Sequence, residues 1–164
     1  MVEIKTLSFG DKIAYEGLID IRIFYDLVNK WFTDRTYDTN EVLNMEQHFE
    51  SGLQLTIENV PSKHLSDYAK IEHRIRIEMN ELQEVKAKVE GEEKKLWKGS
   101  LSISIDTFLV TDKENRMGSD PMTFFIRTLV EKYFIRGTID KYKEQAVRDK
   151  ENFLEFVRKY LNMI

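Results

Sequence analysis

The stretch IEHRIRIEMN, residues 71–80, decides the fold. Ile71, Ile75, Ile77 and Met79 alternate with Glu72, Arg74, Arg76 and Glu78, which is the period of a strand with one face in a core. His73 falls on the apolar side of that alternation. It is read in two ways, as a catalytic base at the bottom of a pocket or as a histidine satisfied inside a core. A core imidazole needs one donor and one acceptor answered, and Tyr15, Tyr25 and Tyr68 are the partners expected for it. A base would need an opening to solvent and a nucleophile or polarised water nearby. No nucleophile or paired-carboxylate motif stands beside His73 in sequence, so the core reading is favoured.

Working outward from the strand, "EVKAKVE" places Val85, Ala87 and Val89 inward, with Asn80 to Gln83 reversing the chain before it. Gly91 marks the next turn. "KLWKGSLSISIDTFLV" then runs as a long strand with Trp97, Leu101, Ile103 and Ile105 on one face and Ser100, Ser102 and Ser104 on the other. Upstream, "VLNMEQHFE" sets Leu43, Met45 and Phe49 on one face, and Ser51-Gly52 turns into "LQLTIENV", forming a hairpin. "PSKHLSD" is expected to be a loop, with no role assigned to His64. At the start, "VEIKTLSFGDKIAYEG" reads as two short strands about Gly10-Asp11.

Two segments change the period to 3.6. Ile21, Phe24, Val28, Trp31 and Phe32 recur at helical spacing behind Asp20, an N-cap. A strand over residues 18–25 competes through Ile19, Ile21 and Ile23, but Leu27, Val28 and Trp31 extend the helix. After the polar run "TDKENRMGSD", Asp120-Pro121 opens a helix with Met122, Ile126, Leu129, Val130 and Tyr133 as its stripe. Gly137 interrupts it. A longer helix carries Ile139, Tyr142, Ala146, Phe153, Phe156, Val157 and Tyr160, and its stripe fades around Asp149 and Lys150.

The expected fold is therefore α+β, with residues 1–164 as one domain. A curled antiparallel sheet of about six strands packs on a long carboxy-terminal helix, and one helix lies near the amino terminus. This order resembles the helix-grip class of START and plant-allergen proteins, which implies an apolar small-molecule ligand held between sheet and helix. That class begins with one strand and two short helices, where a hairpin and one helix are expected here. Tyr15, Gly17, Trp31, Tyr37 and Glu41, with Asp67-Tyr68 later, also resemble small uncharacterised archaeal proteins, a likeness that implies no chemistry.

Composition sets limits. The 164 residues include no cysteine, which excludes disulfides, thiol catalysis and thiolate metal sites. The net charge of -4 is uneven: from Pro121 onward nine Lys/Arg stand against six Asp/Glu. Arg127, Lys132, Arg136, Lys141, Lys143, Arg148, Lys150, Arg158 and Lys159 are interleaved with Glu131, Glu144, Glu151 and Glu155. That interleaving fits pairing along a helix surface better than a nucleic-acid face. The first residues carry no basic region followed by an apolar run, and no stretch reaches the length of a membrane span, so a cytoplasmic protein is expected.

Glu46, His48 and Glu50 have ligand chemistry at alternate positions, but a solvated strand face explains them better than a metal site. No metal and no cofactor are expected. The function expected is a non-catalytic binding or adaptor protein acting through protein or ribonucleoprotein contacts, with a protein partner or a second copy. The alternative is a carrier of an apolar small molecule. For a ligand, His73, Tyr15, Trp31, Trp97 and Tyr133 are the candidate contacts, within an aromatic interior of Phe24, Trp31, Trp97, Phe125 and Tyr133.

Overall fold

A computed structural model describes residues 2–112 and 136–162, together with Met122, Phe125 and Leu129, which are helical. Its elements are β1 (Val2–Ile19), α1 (Ile21–Thr33), β2 (Glu41–Phe49), β3 (Gly52–Asn59), β4 (Ser62–Ser66), β5 (Ala69–Val89), β6 (Glu92–Asp112) and α2 (Arg136–Tyr160). All strand pairs are antiparallel in one open six-stranded sheet of order β1-β6-β5-β3-β2, with β4 paired to β5. The fold is α+β, with α1 and α2 against one face of the sheet. Among the described residues no helix is long and apolar enough to cross a membrane.

The alternation read from residues 71–79 holds. Ile71, Ile75, Ile77 and Met79 are buried opposite Leu109, Ile105, Ile103 and Leu101 of β6. Helix α2 closes this face with Ala146, Phe153 and Val157, each fully buried. Helix α1 starts where Asp20 caps it, the carboxylate accepting from the Ile23 amide at 3.1 Å. Its Trp31 and Phe32 rings meet Phe153 at centroid distances of 5.3 and 4.9 Å, locking the two helices together. The apolar width of α2 is used up inside the chain, since Leu154, Val157 and Leu161 are all buried.

Two expected turns and one expected loop are corrected. Gly10-Asp11 is no hairpin: β1 is one strand paired to β6 along its length, with register shifts between Thr6, Ser8 and Asp11. Gly10, at φ +76°, takes the left-handed backbone of this bulge, and its amide donates to Asp106 at 2.8 Å. Residues 80–83 likewise do not reverse the chain. β5 runs on through a bulge between Asn80 and Gln83, flanked by glycines on both neighbouring strands. A Cβ on Gly99 would stand 2.7 Å from the Asn80 carbonyl oxygen, and one on Gly52 would stand 2.7 Å from that of Leu82. "PSKHLSD" contains a strand, β4, rather than a loop alone.

The facing of β2 is also corrected. Opposite residues in an antiparallel pair share a face. Glu46 and His48 lie opposite Leu55 and Leu53, on the helix side, whereas Met45 lies opposite Thr56 and Leu43 opposite Glu58 on the outer side. Every residue of β2 is exposed. Gly137 lies in the first turn of α2, and the residues just before that helix, where the interruption is expected, lie outside the described ones. Met122 and Leu129, expected in an apolar stripe, and Phe125, expected in the interior, are exposed. Asp120-Pro121, Ile126, Val130 and Tyr133 lie outside the described residues.

Candidate functional site

Among the described residues the core face of the sheet carries a polar band at its centre, apart from Asn59, which bonds Asn29 of α1 at 2.8 Å. His73 on β5 and Thr107 on β6 are directly opposite, and Ser8 on β1 is opposite Thr107, so three adjacent strands contribute to one band. Asp149 and Lys150 of α2 lie over it, at the point where the helix stripe fades in sequence. Tyr37 completes it from the segment after α1. There Thr36 adopts φ 64°, a strained conformation for a β-branched residue, and the Tyr37 amide bonds back to the Phe32 carbonyl at 3.1 Å. That turn sends the Tyr37 ring inward against Phe32.

The hydrogen bonds within the band fix its protonation. The Tyr37 hydroxyl donates to the Asp149 carboxylate at 2.7 Å, so its oxygen is left to accept from His73 Nε2 at 3.3 Å. His73 Nδ1, 3.0 Å from Thr107 Oγ1, is then the acceptor. This is a neutral imidazole with both nitrogens satisfied. Its partners are Tyr37 and Thr107 rather than Tyr15, Tyr25 or Tyr68. Burial, with the nearby Lys150 charge, pushes the His73 pKa down to about 3. Burial and the Asp149 carboxylate push Tyr37 up. His73 is a weak base with no surface exposed, so it can neither meet a substrate nor hold a proton at neutral pH.

The outer end of the band brings Ser8 and Lys150 together, a pairing that resembles a serine–lysine nucleophile. Lys150 Nζ lies 3.3 Å from Ser8 Oγ, 2.9 Å from Asp11 and 2.7 Å from Glu151. Burial alone would lower the lysine pKa, but the bonds from Glu151 and Asp11 outweigh it and hold the pKa raised. A lysine kept protonated cannot take the serine proton. The Ser8 hydroxyl instead donates to Asp11, and with Lys150 it holds that carboxylate below its usual range. The bulge in β1 turns Ser8 and Asp11 onto the lysine, and their chemistry anchors α2 to the sheet edge.

The remaining sequence candidates are scattered. Tyr15 is half-buried and donates to the Leu18 carbonyl at 3.3 Å. Trp97 packs part-buried against the core near the end of β1, opposite Ile19. Trp31 is buried, with the Arg35 guanidinium 3.8 Å above its ring. It floors a groove of about 430 Å³ where α1 meets α2, beside Leu27 and Phe156. The walls are the ion pairs Lys30–Asp34 at 3.0 Å and Lys159–Glu155 at 2.9 Å. Tyr133 lies outside the described residues, and His73, Tyr15, Trp31 and Trp97 are not brought to one pocket. Glu46 and His48 pair with each other at 2.9 Å, and no cluster of three metal-ligating side chains occurs among the described residues.

Sequence reasoning missed Tyr37, Thr107, Asp149 and the exposed face of β2. Val42, Leu43, Met45 and Phe49 are 51%, 36%, 39% and 55% exposed on a strand that ends the sheet. Compared with known protein families, curated proteins and solved structures, the chain matches none.

Proposed function

We propose that this chain is a non-catalytic binding module that works through protein contacts. The observation carrying this reading is β2: a nine-residue edge strand, exposed throughout, with a backbone edge that no other described strand pairs and four large apolar side chains exposed. Edge strands of this kind accept a further strand by backbone pairing, with alternate side chains setting specificity. The polar band supports the same reading from the other side, since its histidine is closed and its lysine is neutralised by carboxylates. The ribonucleoprotein form of the reading is the weaker one. Lys143, Lys150 and Lys159 on α2 are each tied to a carboxylate, which leaves fewer cations for phosphate.

The second reading, a carrier of an apolar small molecule, draws on the groove floored by Trp31, Leu27 and Phe156, whose volume suits a small ligand. Its charged walls suit an apolar guest less well. Native mass spectrometry of the purified protein separates the two readings. The binding module is expected without any co-purified small molecule, whereas a lipid-sized mass on a monomer would contradict it.

A further inference from the structure

Resting on the binding-module reading, we infer that β2 pairs with β2 of a second copy of this chain, antiparallel and about a two-fold axis at Gln47. The segment NMEQHFE, residues 44–50, is self-complementary in that register. Glu46 falls opposite His48 of the second copy, and His48 opposite its Glu46. Met45 falls opposite Phe49, Asn44 opposite Glu50, and Gln47 opposite itself. Each pair shares a face, because opposite residues in an antiparallel ladder do. The Glu46–His48 and Asn44–Glu50 pairs lie on the helix side of the joined sheet, and the Met45–Phe49 pairs lie with Gln47 on its outer side.

Neighbouring registers lack this match. Moving the axis to Glu46 sets the two Glu46 carboxylates against each other. Moving it to His48 sets Glu46 against Glu50. Like charges directly opposed destabilise a strand pair, so the alternation of charge selects Gln47 as the axis. Moving it to Met45 opposes no like charges, but it leaves Glu46 facing Asn44 and His48 facing Val42.

The surroundings permit the contact. β2 is the last strand of the sheet, and α2 packs on β6, β1 and β5, away from it. Tyr25 holds Glu41, which lies outside the paired segment and accepts from the exposed Asn44 amide at 3.2 Å, a bond that Asn44 exchanges for Glu50 of the second copy. The usual defences of an edge are thin here: β2 has no lysine, no proline and nine residues of length. Its helix-side polar groups, Glu46 and His48, bond each other within the chain, and they are the groups that exchange partners across the axis.

The chain has no cysteine, so an introduced one is unique. Sedimentation of the wild-type protein over a concentration series is expected to show a reversible monomer–dimer equilibrium. His48→Glu opposes two carboxylates twice over and should weaken association at least about tenfold; adding Glu46→Lys should restore it. Under mild oxidation Gln47→Cys should cross-link to itself, while Val42→Cys, about ten residues off register, should not. An unliganded monomer at every concentration would overturn this pairing and leave the binding-module reading standing. A dimer that cross-links through Val42→Cys, or one that the double substitution fails to restore, would also overturn it. A lipid-loaded monomer would sink both.

Discussion

His73 Nε2 lies 3.3 Å from the Tyr37 hydroxyl, a bond that joins the first part of β5 to the segment after α1. Asp149 accepts the hydrogen bond of the tyrosine hydroxyl from the other side at 2.7 Å, so sheet, connecting segment and carboxy-terminal helix meet at one hydroxyl. Buried polar groups that are fully satisfied hold a core in one arrangement, and removing any one of them strands the others.

That relation predicts the acid response. The folded His73 pKa is about 3, below the ordinary histidine value of 6.5, so the imidazole is depressed on folding. As pH falls below about 6.5, the unfolded chain takes up a proton that the native protein refuses until about pH 3. Stability should therefore fall across that window, by up to about 1.4 kcal/mol per pH unit. Urea unfolding across the window checks it. His73→Leu should cost about 1–3 kcal/mol at neutral pH, because it leaves the Tyr37 and Thr107 oxygens without the imidazole. It should also flatten the acid dependence above about pH 4.5. A variant with the wild-type slope would show that His73 is not the group responsible.

The Lys150 anchor should respond asymmetrically. The lysine side chain is 7% exposed and its Asp11 partner 38%. Asp11→Ala leaves a buried ammonium supported by Glu151 and Ser8 alone, an expected loss of about 2 kcal/mol. Lys150→Met leaves a carboxylate that water can reach and should cost under about 1 kcal/mol. Denaturant midpoints of the two variants decide the order, and the reverse order would contradict this account of the anchor.

Two glycines should move stability in opposite directions. Gly99→Ala pushes a methyl group into the Asn80 carbonyl at the β5 bulge, with an expected loss of about 1–3 kcal/mol. Gly137→Ala meets no atom within 4 Å on α2 and should add up to about 1 kcal/mol through helix propensity. Thermal unfolding of both variants checks the signs. An unchanged Gly99→Ala protein would mean that the bulge can shift to admit a side chain.

The sheet and both flanking helices were legible because each writes its period over a long run. The bulges were not, because a bulge and a turn leave the same local trace. At Asn80–Leu82 the inward positions slip from Met79 to Leu82, with polar residues between, and only pairing with β6 on both sides of the slip distinguishes the two. The facing of β2 was misread for a different reason. Leu43, Met45 and Phe49 alternate as a core-facing set would, whereas here they face water on the outer side. The polar band left three separate signals: His73 among isoleucines, Thr107 between Ile105 and Leu109, and the fading helix stripe at Asp149 and Lys150. The sequence separations within the band, 34 residues from His73 to Thr107 and 112 from Tyr37 to Asp149, kept them from being joined without a register.

The claim that the molecule works through its β2 edge, and not through its interior, is met most directly by hydrogen exchange at several protein concentrations. The amides of residues 44–50 should gain protection as concentration rises, while those of β1 on the opposite edge stay unchanged. The amides around His73 should remain slow at every concentration. Exchange in residues 44–50 that is indifferent to concentration, with protection appearing instead around Trp31 and Phe156, would contradict the account.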